Sequence, residues 1–95
     1  MAPKLSIIIP NYNEKENLEA GALDQVAGYL ANVSFAWEVI ISDDGSTDGS
    51  RDLVDYFSKK HKDFRLLKNP HGGKAAAINA GIKAAKGEIV LFTDM

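Results

Sequence analysis

Short β-branched runs that end in polar turn residues recur four times along this 95-residue chain, and a segment of helical spacing separates each run from the next. Leu5 to Ile9 is the first run, closed by Pro10; Trp37 to Ile41, Phe64 to Leu67 and Glu88 to Phe92 follow. Between the first two, apolar residues at Leu18, Ala22, Leu23, Val26 and Leu30 predict one helix from Glu16 to about Leu30, with a single apolar face. The second helix carries Leu53, Val54 and Phe57 on one side and ends in Lys59-Lys60-His61-Lys62, where cations complement the helix dipole. The third runs from Lys74 to Lys86, with Gly87 as its expected stop. It is dense in alanine, whose small side chain lets a helix lie close to a sheet. Strands alternating with helices predict a parallel sheet with right-handed crossovers. The apolar character of the strand runs fits strands buried on both faces.

A chain this long forms one small domain, burying roughly 60–65% of its unfolded surface. At 45% hydrophobic and 25% charged residues the composition excludes general disorder. The net charge of −2, with both signs interspersed, excludes the basic footprint of a nucleic-acid binder. Cysteine is absent, so disulfides and thiolate metal sites are excluded, and a reducing, cytoplasmic setting is expected. Met1-Ala2-Pro3-Lys4 lacks the apolar core of a signal peptide. The longest aliphatic run, Ile7-Ile8-Ile9, falls far short of a membrane span, so no membrane segment is expected in this chain.

In open α/β sheets, ligands bind beyond the carboxyl ends of the strands, where the strand order switches. Pro10-Asn11-Tyr12-Asn13-Glu14 follows the first strand and Asp43-Asp44-Gly45-Ser46 the second. His71-Gly72-Gly73-Lys74 follows the third and Thr93-Asp94 the fourth. Polar residues thus collect at one sheet edge, as a pocket for a polar ligand requires. Tyr12 suits stacking on a base and equally suits packing at a strand end. Asp43 and Asp44 can accept donors from a base or ribose. The same stretch also suits a plain turn in which Ser46 or Thr47 caps the next helix. Gly72-Gly73 permits close backbone approach to phosphate, and Lys74 adds a cation near a helix N-terminus. Neither the P-loop spacing nor Gly-x-Gly-x-x-Gly is present, which argues against those two nucleotide sites. His61 reads as surface and His71 as loop, with contact to phosphate the alternative for His71, and neither has metal-ligand spacing. Trp37 and Phe35 read as packing residues. Asp94, taken alone, is a solvated residue at the end of an apolar strand.

Taken together these segments become specific. Ile7-Ile8-Ile9-Pro10-Asn11-Tyr12-Asn13-Glu14 resembles the first-strand motif of family 2 glycosyltransferases, and Ile40-Ile41-Ser42-Asp43-Asp44-Gly45-Ser46-Thr47-Asp48 resembles their second. Gly73-Lys74-Ala75-Ala76-Ala77-Ile78-Asn79-Ala80-Gly81 is similar to their third-helix motif, and Ile89-Val90-Leu91-Phe92-Thr93-Asp94 to the strand entering their Asp-x-Asp metal motif. The four motifs stand in the family's order and cover essentially the whole chain.

The resemblance implies the GT-A fold: a three-layer, mostly parallel, Rossmann-like α/β sheet in the order 3-2-1-4, with residues 1–95 as its N-terminal nucleotide-binding half. It implies that Pro10, Tyr12 and Glu14 line the base, and that Asp44 hydrogen-bonds it with Asp43 alongside. Gly73 and Lys74 would close over the nucleotide. Asp94 would be the first carboxylate of Asp-x-Asp, facing the ribose and a metal-bound diphosphate. The implied metal is Mg²⁺ or Mn²⁺, bridging diphosphate oxygens. The implied ligand is a UDP-sugar or a GDP-sugar such as GDP-mannose. The dolichyl- and polyprenyl-phosphate sugar transferases look most similar, which makes a polyprenyl phosphate the expected acceptor and the cytosolic face of a membrane the expected place of the parent. Met95 stands at the x of Asp-x-Asp, and the second aspartate is not among these residues. The expectation is therefore nucleotide binding with weak or absent metal and no transfer by this fragment. The rival expectation is a non-catalytic α/β fragment that binds no ligand measurably and mainly self-associates; self-association through the apolar fourth strand, Ile89 to Phe92, is expected on the main reading as well.

Overall fold

The computed structural model describes residues 2–95. In chain order the elements are β1 (Leu5–Asn11), α1 (Lys15–Glu19), α2 (Ala22–Leu30), β2 (Trp37–Asp44), α3 (Ser50–Lys60), β3 (Phe64–Asn69), α4 (Lys74–Ala84) and β4 (Ile89–Phe92). The strands form one sheet in the order β3-β2-β1-β4, and every neighbouring pair is parallel. This is the 3-2-1-4 order expected from the sequence. The chain moves outward from β1 through β2 to β3, then returns across the sheet to place β4 on the other side of β1. The switch in strand order therefore falls between β1 and β4.

Alternation along the central strands divides the core into two layers. Ile9, Val39 and Ile41 pack with Leu23 and Leu30 of α2, Val54 of α3 and Phe64 on one face. On the other, α4 lies so close that a Cβ added at Gly81 would run into the Ile8 side chain. The Ser42 hydroxyl ties that helix down, donating to the Ala77 carbonyl at 2.6 Å. The expectation of a close, alanine-rich helix is met in this way. Ile8, Val39, Ile40 and Ile41 have no exposed surface, so each contributes about 1.5–3 kcal/mol of burial.

Glu38 pins the opposite end of the sheet. It accepts from the Ser6 hydroxyl at 2.6 Å and the Lys86 N–H at 2.7 Å, and it pairs with Arg65 at 3.3 Å. Burial pushes the Glu38 carboxyl up, but the bonds from Ser6, Lys86 and Arg65 outweigh it and hold the group below its ordinary value.

Several local expectations are corrected. The helix from Glu16 to Leu30 is two helices, because Gly21 takes a left-handed φ of 91° that breaks the first after Glu19. Strands β1, β2 and β3 run further than expected, so Asp43 and Asp44 lie in β2 and not in a turn. Neither Ser46 nor Thr47 caps the next helix; Gly49 stands at that position and α3 begins at Ser50. Helix α4 ends at Ala84, followed by extended Ala85. Gly87 is therefore not its stop: its N–H donates to the Ser6 hydroxyl at 2.8 Å, against the edge of β1. His61 is half-buried, its ring stacked on Phe57 at 3.9 Å.

Candidate functional site

Because successive side chains leave a strand on opposite faces, the last two carboxylates of β2 part company. Asp43 turns toward α3 and has no exposed surface. Its Oδ1 accepts from the Asn11 amide at 2.8 Å and the Ser46 hydroxyl at 2.7 Å. Its Oδ2 accepts from the N–H groups of Gly45 (3.1 Å) and Ser46 (3.0 Å) and from Arg51 Nε (2.8 Å), with Arg51 Nη2 at 2.7 Å. Burial pushes the Asp43 carboxyl up, but Ser46, Arg51 and Asn11 outweigh it and hold it below the usual carboxylate value. A carboxylate so fully engaged has no lone pair left for a ligand. Asp43, expected alongside Asp44, clamps the end of β1, the turn after β2 and the start of α3.

Asp44 turns toward α4 and is 4% exposed. Its Oδ1 accepts from the N–H groups of Gly72 at 2.7 Å and Gly73 at 3.1 Å. His71 Nδ1 lies 3.0 Å from its Oδ2 and 3.0 Å from its carbonyl oxygen. The His71 ring stacks on Tyr12 with centroids 4.6 Å apart and planes 26° from parallel. Lys74 Nζ, on the first residue of α4, is 2.5 Å from Asp94 Oδ1 just beyond β4.

These groups surround a cleft of about 280 Å³ at the carboxyl ends of the strands. Pro10, Tyr12 and Glu14 line it from the β1 side, and Asp44, Gly73, Lys74 and Asp94 from the β2, α4 and β4 sides. The structure thus brings together seven of the eight residues singled out in the sequence, with Asp43 behind them.

Asn11 and His71 complete the lining. Asn11 was not singled out in the sequence, and its Oδ1 is buried without a partner. Asn13, also passed over, has a φ of 53°. It accepts from the Thr47 N–H at 2.8 Å and donates its own N–H to the Ser46 hydroxyl at 3.0 Å, joining the two loops that flank the cleft. Asparagine tolerates this left-handed geometry far better than most residues, which is the one local signal the sequence carried.

Asp94 is a single exposed carboxylate already paired with Lys74. Among the described residues no three His, Cys, Asp or Glu side chains are grouped to hold a metal ion. The residues present therefore do not by themselves form a metal site. A separate apolar hollow of about 490 Å³ lies where Ile7 and Ile9 of β1 face Leu23 and Val26 of α2 and Met95.

Residues 6–95 match the family described as Glycosyl transferase family 2. The chain belongs to glycosyl transferase family 2. This family 2 chain is 36% identical over 95 residues to the dolichyl-phosphate beta-glucosyltransferase ALG5C of Trichomonas vaginalis, covering 94% of itself and 28% of that protein. It is 39% identical over 92 residues to the undecaprenyl-phosphate 4-deoxy-4-formamido-L-arabinose transferase of Aeromonas hydrophila, covering 95% of itself and 28% of that protein. Among solved structures it superposes on the mannosyltransferase PcManGT from Pyrobaculum calidifontis, in complex with GDP-Man and Mn²⁺. The TM-score is 0.78 at 32% identity, with 99% of this chain and 28% of that one covered. It superposes equally on S. aureus TarS 1-349 in complex with UDP, with a TM-score of 0.78 at 29% identity, covering 96% of this chain and 27% of that one. The family 2 chain thus spans under a third of the length of these relatives. No helix among the described residues is long and apolar enough to cross a membrane.

Proposed function

We propose that this chain is the nucleotide-binding part of a glycosyltransferase that takes a UDP-sugar or a GDP-sugar and transfers its hexose to an acceptor. The observation that carries the reading is the convergence of Tyr12, Asp44, Lys74 and Asp94 on one cleft at the strand-order switch. An aromatic face, a carboxylate, a cation and a helix N-terminus are the groups that a base, a ribose and a diphosphate require. Tyr12 would stack on the base and Asp44 would accept its N–H. Gly73 and Lys74 would face the diphosphate. Support for the ligand class comes from the relatives, one solved with GDP-Man and Mn²⁺ and another with UDP. The dolichyl- and undecaprenyl-phosphate relatives favour a polyprenyl phosphate as acceptor.

A divalent ion would find one ligand here, Asp94, and would need the rest of its shell from the diphosphate and from groups outside these residues. Chain 1–95 then binds nucleotide weakly, with little dependence on Mn²⁺, and transfers no sugar. Titration of ¹⁵N-labelled protein with UDP and GDP, with and without Mn²⁺, tests this. Shifts centred on Tyr12 and Asp44 are expected; shifts confined elsewhere, or tight Mn²⁺-dependent binding, would overturn it.

A second property is proposed on a separate observation. Ile89, Val90, Leu91 and Phe92 are all exposed, and β4 has no strand on its outer edge among the described residues. An apolar strand with an unpaired edge pairs readily with another chain, so self-association through β4 is expected of this chain.

A further inference from the structure

We propose that His71 is the resident occupant of the base subsite, and that a nucleotide enters by displacing the segment His71–Gly73 from Tyr12 and Asp44. The inference rests on the cleft being the nucleotide site, as argued above. It concerns a residue to which the functional reading gives no part.

Two groups in the cleft are offered to a base, and His71–Gly73 holds both. The first is the face of Tyr12. The His71 ring lies 4.6 Å from it, centroid to centroid. A base inserted between two rings needs them roughly 7 Å apart, twice the carbon contact distance of about 3.5 Å. His71 and a base therefore cannot share this face. The second is the Asp44 carboxylate. Gly72 N–H, Gly73 N–H and His71 Nδ1 occupy its two oxygens, and the residue is 4% exposed. Three donors already fill most of its roughly four acceptor sites, so a donor on a base competes with them for it.

The fold accommodates this occupation specifically. Gly45 follows Asp44 at the end of β2 with a φ of 77°, and a Cβ there would sit 2.8 Å from the His71 backbone nitrogen. Any side chain at Gly45 would push His71 off its seat.

The groups released by displacement are not left without partners. The Gly72 and Gly73 N–H groups open the N-terminus of α4 next to Lys74, which is where a diphosphate finds its donors. The exchange conserves hydrogen bonds: the Asp44 carboxylate passes from the loop amides to the base, and the amides pass from the carboxylate to phosphate oxygens. The closed arrangement thus keeps a buried carboxylate satisfied while no ligand is bound. Its cost is that every ligand must first undo a stacked pair.

Calorimetric and NMR titration of UDP and GDP into the wild-type chain, His71→Ala and His71→Phe tests the proposal. Removing a stacked competitor is expected to tighten binding to His71→Ala by about two- to tenfold. His71→Phe keeps a ring on Tyr12 and is expected to bind no more tightly than wild type. The Gly72 and Gly73 amide resonances are expected to move on saturation. If His71→Ala binds equally or more weakly while shifts still map to Tyr12 and Asp44, His71 is not a competitor and the proposal falls, with the nucleotide site intact. The same holds if the Phe variant gains as much as the Ala variant, or if the two glycine amides stay in place. If none of the three proteins shows shifts at Tyr12 and Asp44, the nucleotide reading itself is overturned and this inference with it.

Discussion

Asn11 and Asp43 face each other across β1 and β2, and the Asn11 amide donates to the Asp43 carboxylate at 2.8 Å. The pair is one side of a cage whose other donors are Ser46, Gly45 and Arg51. Replacing Asp43 with Ala strands all of them at once and is expected to cost about 3–5 kcal/mol, a large part of a small domain's stability. Arg51→Ala leaves Asp43 with its other donors and removes a side chain that is 33% exposed, so about 1.5–3 kcal/mol is expected. Urea unfolding of the two variants checks the order; equal losses would show that the cage depends on the ion pair alone.

Acid should weaken this fold in a defined window. Asp43 and Glu38 both have carboxyls held below their ordinary values, against burial, by the bonds described above. Unfolded, they titrate near ~3.9 and ~4.3, so their contribution is complete above about pH 5 and is lost as pH falls through the lower folded values. The urea midpoint is expected to be flat from these two groups between about pH 7 and 5 and to fall below about pH 4. Asp43→Asn should flatten part of that fall. A midpoint that rises on acidification would contradict the sign.

Within the cleft, Asp44 and Asp94 should behave differently. Asp44→Ala removes the acceptor proposed for the base and is expected to weaken UDP or GDP binding by roughly 10- to 150-fold. Asp94 is exposed and paired with Lys74, and among the described residues no three His, Cys, Asp or Glu side chains are grouped to hold a metal. Asp94→Ala is therefore expected to change nucleotide affinity by less than about threefold, with or without Mn²⁺. Calorimetry on both variants decides it, and a larger effect at Asp94 would reverse the assignment.

Two helix glycines should respond to alanine with opposite signs. Gly28 of α2 has nothing within 4 Å of an added Cβ, so Gly28→Ala is expected to stabilise by about 0.5–1 kcal/mol. Gly81 of α4 has Ile8 in the way, and overpacking there is expected to cost about 1–3 kcal/mol despite the better helix former. Thermal unfolding of the two variants separates them; stabilisation at Gly81 would mean that α4 does not lie as close to β1 as described.

Self-association is expected to depend on the exposed side chains of β4. Leu91 pairs with Ile7 in register and is exposed. A charge on such an edge strand opposes pairing. Light scattering at rising concentration should show a dimer or larger species for the wild type and a shift toward monomer for Leu91→Lys. An unchanged distribution would place the contact elsewhere.

The alternation of short β-branched runs with helical spacing was enough to read a parallel sheet layered with helices, because buried parallel strands leave a plain hydrophobic signature; the strand order 3-2-1-4 was legible only with the family resemblance added. Strand ends were less legible. Asn and Asp are poor strand formers on average, so β1 and β2 were read as ending at Ile9 and Ile41. In the structure the ladder continues because Asn11 and Asp43 satisfy one another across it. The division of labour between Asp43 and Asp44 was hidden for the same reason: once the strand is taken to stop early, the two-residue alternation that sends them to opposite faces has nothing to act on. Gly21 did break the first helix, a signal present in the sequence but masked by the regular spacing of Leu18, Ala22, Leu23 and Val26. The stacking of His71 on Tyr12 joins residues from separate loops, and no local pattern announces such a contact.

Every side chain of β4 is exposed, and the strand meets the sheet only along β1, from Leu5 opposite Ile89 to Ile8 opposite Phe92. Native proteins open first where little apolar surface is buried. The amides of Leu91 and Thr93 should therefore exchange with solvent well before those of Ile8 and Ile40, as β4 detaches while the other three strands stay folded. Asp94 follows β4, so it is expected to move with the strand whenever β4 opens. On the proposed function, a nucleotide that touches Asp94 and Asp44 together would act as a clasp between a labile strand and a rigid one. Its binding should be visible as slowed exchange in β4, residues away from any atom it touches.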